Sequence, residues 1–115
     1  SSARTAAEGL LALKDRPTAI FVASDDMALE TINVALTKHI RVPEELSVIG
    51  FDDNPSAAHG RVPLTTVRQP LSEMGSTGLE LLRQQIAGKK QSPTKLLLPT
   101  QLVERQSCRQ TWLER

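Results

Sequence analysis

Leu46-Ser47-Val48-Ile49-Gly50-Phe51 stays apolar for about the length of a strand and then meets two carboxylates, Asp52-Asp53. A short apolar run rich in β-formers is the pattern of a strand buried on both faces, as in a parallel sheet. Val42-Pro43-Glu44-Glu45 reads as the turn that feeds it. The same arrangement occurs earlier, where the strand-like Thr18 to Ala23 (Thr-Ala-Ile-Phe-Val-Ala) runs into Ser24-Asp25-Asp26. A hydroxyl followed by carboxylates satisfies the free N–H groups and the positive end of a helix dipole, so Ser24 caps a helix that continues to about His39. Strands alternating with helices imply a parallel α/β sheet with right-handed crossovers. In such sheets ligands bind beyond the carboxyl ends of the strands, where both acidic clusters fall.

Outward from this centre, Ala6, Ala7, Leu10 and Leu11 recur at helical spacing, so a helix is expected up to about Lys14, ended by Pro17. Asn54-Pro55 reads as the cap and first residue of a short helix that Gly60 closes. Thr65 to Gln69 is a short strand, and Pro70 begins a long helix whose apolar line is Leu71, Met74, Gly78, Leu82 and Ile86, stopped by Gly88 and Lys89. Lys95 to Leu98 and Gln101 to Glu104 read as extended segments on either side of Pro99, and the remainder as a tail. The length of 115 residues fits one folding unit.

A 39% hydrophobic and 23% charged composition without low-complexity tracts is that of a globular protein and excludes a disordered one. Fourteen basic residues against thirteen acidic ones, with no basic run longer than two, leave no nucleic-acid footprint, so any DNA contact comes from elsewhere. Cys108 is the only cysteine, which suits a reducing, cytoplasmic setting. No apolar stretch is long enough to span a bilayer, and the N-terminus lacks the pattern of a secretory signal.

Carboxylates at two neighbouring strand ends accept pairs of hydroxyl donors, which makes a sugar a reasonable ligand. The competing reading is that Asp25 and Asp26 only favour a helix terminus while Asp52 and Asp53 only shape a turn. A third, enzymatic reading gives the carboxylates a Mg²⁺ ion for phosphoryl transfer, as in a receiver domain. Such a site wants a lysine at the end of a later strand, and Lys95 begins its segment instead. His39, His59 and Cys108 make neither a catalytic triad nor a zinc pattern, so no catalytic residue, metal or cofactor is expected. Gly75-Ser76-Thr77-Gly78 lies within a helical period and predicts close packing of a neighbour rather than a phosphate loop. Phe21, Phe51 and Trp112 read as packing residues. The helix after Asp26 has two apolar lines, one with Ala28, Ile32 and Ala35 and one with Leu29 and Leu36 beside Asn33. The second line meets either a symmetric partner or an overlying lobe.

Arg16-Pro17-Thr18-Ala19-Ile20-Phe21, Ser24-Asp25-Asp26-Met27-Ala28, Val42 to Asp53, and Pro63-Leu64-Thr65-Thr66-Val67-Arg68-Gln69-Pro70 together resemble the lactose/galactose-repressor family, and Leu102 to Ser107 resembles its closing strand. The resemblance implies a Rossmann-like, parallel-sheet lobe of the periplasmic-binding-protein-like fold, of which residues 1–115 would be the C-terminal portion of an effector-binding and dimerisation domain. The helix at 70–90 would belong to the other lobe. It further implies a sugar-responsive repressor whose operator DNA is contacted only through a head domain outside this chain. Effector contacts are expected at Asp52, Ser24 and Asp25, and a homodimer surface at Leu29, Ile32, Asn33, Leu36, Ala57 and His59. Within the same fold, the alternative is a secreted sugar-binding protein of a transport system.

Overall fold

In the computed structural model, which describes residues 1–89 and 95–110, the chain forms two compact units rather than one. The larger holds Ser1–Arg68 and the return segment that starts at Leu102; the smaller is Gln69–Gln101.

The larger unit opens with α1 (Ser2–Leu11), capped by the Ser1 hydroxyl, which accepts the Arg4 N–H at 3.3 Å. β1 (Ala19–Phe21), α2 (Asp25–Thr37) and β2 (Ser47–Ile49) follow, then a 3-10 helix (Pro55–Ala58) and β3 (Thr66–Arg68). β1 and β2 pair in parallel, with Ala19, Ile20 and Phe21 opposite Ser47, Val48 and Ile49. Parallel bridges between Ile49 and Thr65 and between Asp52 and Arg68 carry the pairing on from β2 to β3. β4 (Gln101–Val103), whose residues from Leu102 belong to this unit, pairs with β3. Beyond it the chain returns beside β2: the Val48 N–H donates to the Ser107 carbonyl at 2.9 Å, and the Ser107 hydroxyl donates to the Val48 carbonyl.

The helical period of α2 buries Ala28, Ile32 and Ala35, the first apolar line, against Leu46, Val48 and Leu64 in one hydrophobic core, which Ala7 and Leu11 of α1 join. Burial of the larger of these side chains, Leu11, Ile32, Leu46, Val48 and Leu64, contributes about 1.5–3 kcal/mol each, which is why the strands and α2 hold together. Phe21 departs from the packing expected of it and is 62% exposed. β1 has a single hydrogen-bonded neighbour among the described residues, β2, so it is an edge strand with only part of its surface covered.

In the smaller unit, α3 (Leu71–Ile86) starts after Pro70 as its period predicts, and Gly88, at φ 77°, takes the left-handed turn beyond its end. No residue of α3 is buried; its apolar line of Leu71, Met74, Leu82 and Ile86 is exposed. A Cβ at Gly75 or Gly78 would meet nothing within 4 Å, so the close neighbour expected for these glycines is not supplied here. Lys95 to Thr100 carries no regular secondary structure. Trp112 and most of the expected tail lie outside the described residues.

Candidate functional site

The start of α2 is fastened to the end of β2. Ser24 sits in an extended conformation, φ −148° and ψ 157°, and its hydroxyl accepts the Met27 N–H at 3.4 Å. The Asp25 N–H donates to the Phe51 carbonyl at 3.1 Å. Gly50 permits this approach: a Cβ there would lie 2.5 Å from Asp25 Oδ1 and 2.8 Å from Leu64 Cδ2. Any side chain would displace a buried carboxylate or the core beside it.

Asp25 is placed inside the lobe. It is fully buried, with Oδ1 accepting the Thr66 hydroxyl and Oδ2 accepting the Asn54 N–H, each at 2.6 Å. Both oxygens are therefore engaged by the protein, and the carboxylate ties α2 to β3 and to the loop after β2. Asp26 is exposed and accepts from Asn54 Nδ2 at 3.4 Å.

Asp52 is half-buried at the end of β2, with φ at 124°, a region that residues with a Cβ rarely occupy. Such backbone geometry costs about 1–3 kcal/mol and persists only where the surroundings impose it. The Asp52 N–H donates to the Val67 carbonyl at 2.9 Å. Asp53 follows at φ 62°, a left-handed conformation that aspartate tolerates. Its carboxylate is gripped on both oxygens, by Arg68 Nε at 2.7 Å and Arg105 Nη2 at 2.8 Å. Burial pushes the Asp53 carboxyl up, but the hydrogen bonds and charges of Arg68 and Arg105 outweigh it and hold the group below the ordinary carboxylate value. Arg105 is itself anchored, its Nη1 donating to the Leu64 carbonyl at 2.9 Å and its N–H to the Thr65 hydroxyl at 3.0 Å.

Ser24 and Asp52 thus stand at the carboxyl ends of β1 and β2, while Asp25 lies beneath them. The sequence reading puts Asp53 in the acidic cluster and Asn54 at a helix cap, but it misses their bonds here and the parts played by Thr66, Arg68 and Arg105. The available signal was that a carboxylate at an apolar strand end needs donors when buried, and the blocks around Thr66, Arg68 and Arg105 supply them. No group of three or more His, Cys, Asp or Glu among the described residues is arranged to hold a metal. The carboxylates of Asp25 and Asp53, which a receiver-like Mg²⁺ site would draw on, face protein donors.

The expected dimer residues divide in two. Ile32 and Ala57 belong to the core of the lobe, at 2% and 0% exposure, because the first apolar line and the 3-10 helix close over the sheet. Leu29 and Leu36 are half-buried at the edge of that core, and Asn33 and His59 are exposed. Leu29, Asn33, Ser56, His59 and Val62 line a shallow surface groove.

A parallel sheet with Ser24 and Asp52 at neighbouring strand ends, and a carboxylate-locked helix start behind them, defines a lobe of an α/β fold. The chain belongs to the family of the periplasmic binding protein-like domain, whose model matches residues 1–108. It is 38% identical to the HTH-type transcriptional repressor PurR of Photobacterium profundum over 94% of this chain and 32% of that protein. Among solved structures it is similar to a complex of the transcriptional regulator CelR with cellobiose, with a TM-score of 0.87 and 38% identity over 92% of this chain and 32% of that one. It is also similar to the lac repressor dimer bound to operator and the anti-inducer ONPF, with a TM-score of 0.85 and 32% identity over 93% of this chain and 37% of that one. The chain therefore spans about a third of the length of PurR, as it does of CelR. Among the described residues no helix is long and apolar enough to cross a membrane.

Proposed function

We propose that this chain is the C-terminal portion of the effector-binding and dimerisation domain of a bacterial, cytoplasmic repressor of the lactose/galactose-repressor type. The observation that carries the reading is the strained, pinned Asp52 at the end of β2, next to the cap residue Ser24 that closes the end of β1. Backbone strain held in place at a strand end is a recurring mark of a ligand site. Asp52 is the acceptor for hydroxyl pairs of a sugar or sugar derivative, Ser24 lines the same edge, and Asp25 holds both in position from beneath.

The relatives support the regulatory reading over a transport receptor, since those described above are regulators and repressors. The groove around Leu29, Asn33 and His59, with Leu36 beside it, is the surface assigned to the homodimer. α3, exposed along its apolar line, belongs with residues 70–90 to the second lobe of the full-length protein. Operator contact comes from a helix-turn-helix head outside this segment. The effector acts by favouring one arrangement of the lobes over another.

Asp52→Asn in the full-length protein removes an anionic acceptor with little change of shape. Hydrogen bonds to charged groups contribute about 1.5–3 kcal/mol, so effector affinity measured by calorimetry falls roughly tenfold or more, with operator affinity in the absence of effector preserved. Unchanged effector affinity removes Asp52 from the site.

A further inference from the structure

We infer that Asp53 is a positioning residue for the effector site, acting through Asp52. The inference rests on the reading of Asp52 as the sugar acceptor. Asp52 and Asp53 are consecutive residues at positive φ, 124° and 62°, so the backbone that aims the Asp52 side chain combines a rarely occupied conformation at Asp52 with a left-handed one at Asp53. The Asp52 N–H bond to Val67 anchors one end of this turn. The other end is anchored by the Asp53 side chain, which is 9% exposed and held by two cations from different segments. Arg68 comes from β3 and Arg105 from the segment after β4, so the end of β2 is tied to both neighbouring stretches of chain.

Of the two arginines, Arg105 is the rigid one. Its side chain is 18% exposed and also fastened to Leu64, whereas that of Arg68 is 52% exposed. A carboxylate so held cannot itself offer its oxygens to a ligand, and its neutral isostere can accept only at one atom. Asp53→Asn therefore loosens the turn without emptying the space it fills, and Asp52 loses its fixed aim. Fixing a binding group beforehand raises affinity because less order has to be imposed when the ligand arrives.

The test is a double-mutant cycle in the full-length protein with Asp52→Asn and Asp53→Asn. Affinity is read calorimetrically with glucose, sucrose and cellobiose, and thermal unfolding is recorded for every variant. Asp53→Asn is expected to weaken binding of the best of these sugars about tenfold in the wild-type background, as befits the loss of charge-assisted hydrogen bonds, and less than twofold when Asp52→Asn is already present. A merely structural role lowers affinity equally in both backgrounds, following the loss of thermal stability, and that result overturns the inference, as does an unchanged affinity in Asp53→Asn alone. If Asp52→Asn leaves affinity unaltered, or none of the sugars binds the wild type, the site reading itself fails and the inference falls with it.

Discussion

α2 and α3 are built from the same rule and meet different fates. Both are amphipathic, both start where a cap or proline predicts, and both run for more than three turns. α2 buries Asp25, Ala28, Thr31, Ile32, Val34 and Ala35, whereas α3 buries nothing. The difference lies in what each is given to pack on. α2 lies against Leu46, Val48 and Leu64 within its own unit, while α3 is left with the short stretch from Lys95 to Thr100, whose Leu96, Leu97 and Leu98 make only a shallow apolar groove with Met74 and Leu81. A helical period states that a face needs covering and leaves open what covers it. α3 keeps its surface bonded locally instead, through Arg83 and Glu80 at 2.7 Å.

If α2 is locked and α3 is not, the largest effect falls on the lock. Asp25→Ala leaves the buried Thr66 hydroxyl and the Asn54 N–H without their acceptor. At about 1–3 kcal/mol for each such group, the chain loses about 3 kcal/mol in urea unfolding. A loss under about 1 kcal/mol would break the comparison, because α2 would then be held by apolar packing alone. Next in size is Gly50→Ala, which sets a methyl 2.5 Å from Asp25 Oδ1 and overpacks the crossing of α2 and β2, at about 1–3 kcal/mol. Combined with Asp25→Ala its cost shrinks, since the carboxylate it strikes is gone. Full additivity would show that Leu64, 2.8 Å away, is the real obstacle.

The parts of this lobe that local rules control were legible in the sequence. β1, α2 and β2 follow from apolar runs, and Ser24 follows from the need for a cap. The inward placement of Asp25 was not legible, because Ser-Asp-Asp reads alike whether the first carboxylate faces solvent or the core. The outcome depends on how α2 meets β3, where Thr66 stands 41 positions further along the chain. The grip on Asp53 was hidden for the same reason: its partners are 15 and 52 positions away, and no periodicity connects them. Phe21 misled in the opposite direction. An apolar strand is expected to be covered on both faces, but coverage depends on neighbouring elements that a local run does not reveal. Ile32, which the helical period sets on the inward line, and Ala57 of the 3-10 helix show how residues assigned to a partner surface can be ones the fold itself buries.

The smallest expected effect is the sharpest probe of α3. Leu82 is 52% exposed in the C-terminal half of the helix, and no residue of α3 is buried beside it. Leu82→Glu in this chain should therefore change stability by no more than about 0.5 kcal/mol, as for other surface substitutions. In the full-length protein, where the proposed second lobe covers the same line, it forfeits about 1.5–3 kcal/mol of side-chain burial and adds the cost of enclosing a charge. Urea unfolding of both forms separates the cases. A large loss in this chain alone would mean that α3 is already covered here, and the contrast with α2 would vanish. No loss in either form would mean that the apolar line of α3 faces solvent throughout, and the helix would then have to be placed outside the second lobe.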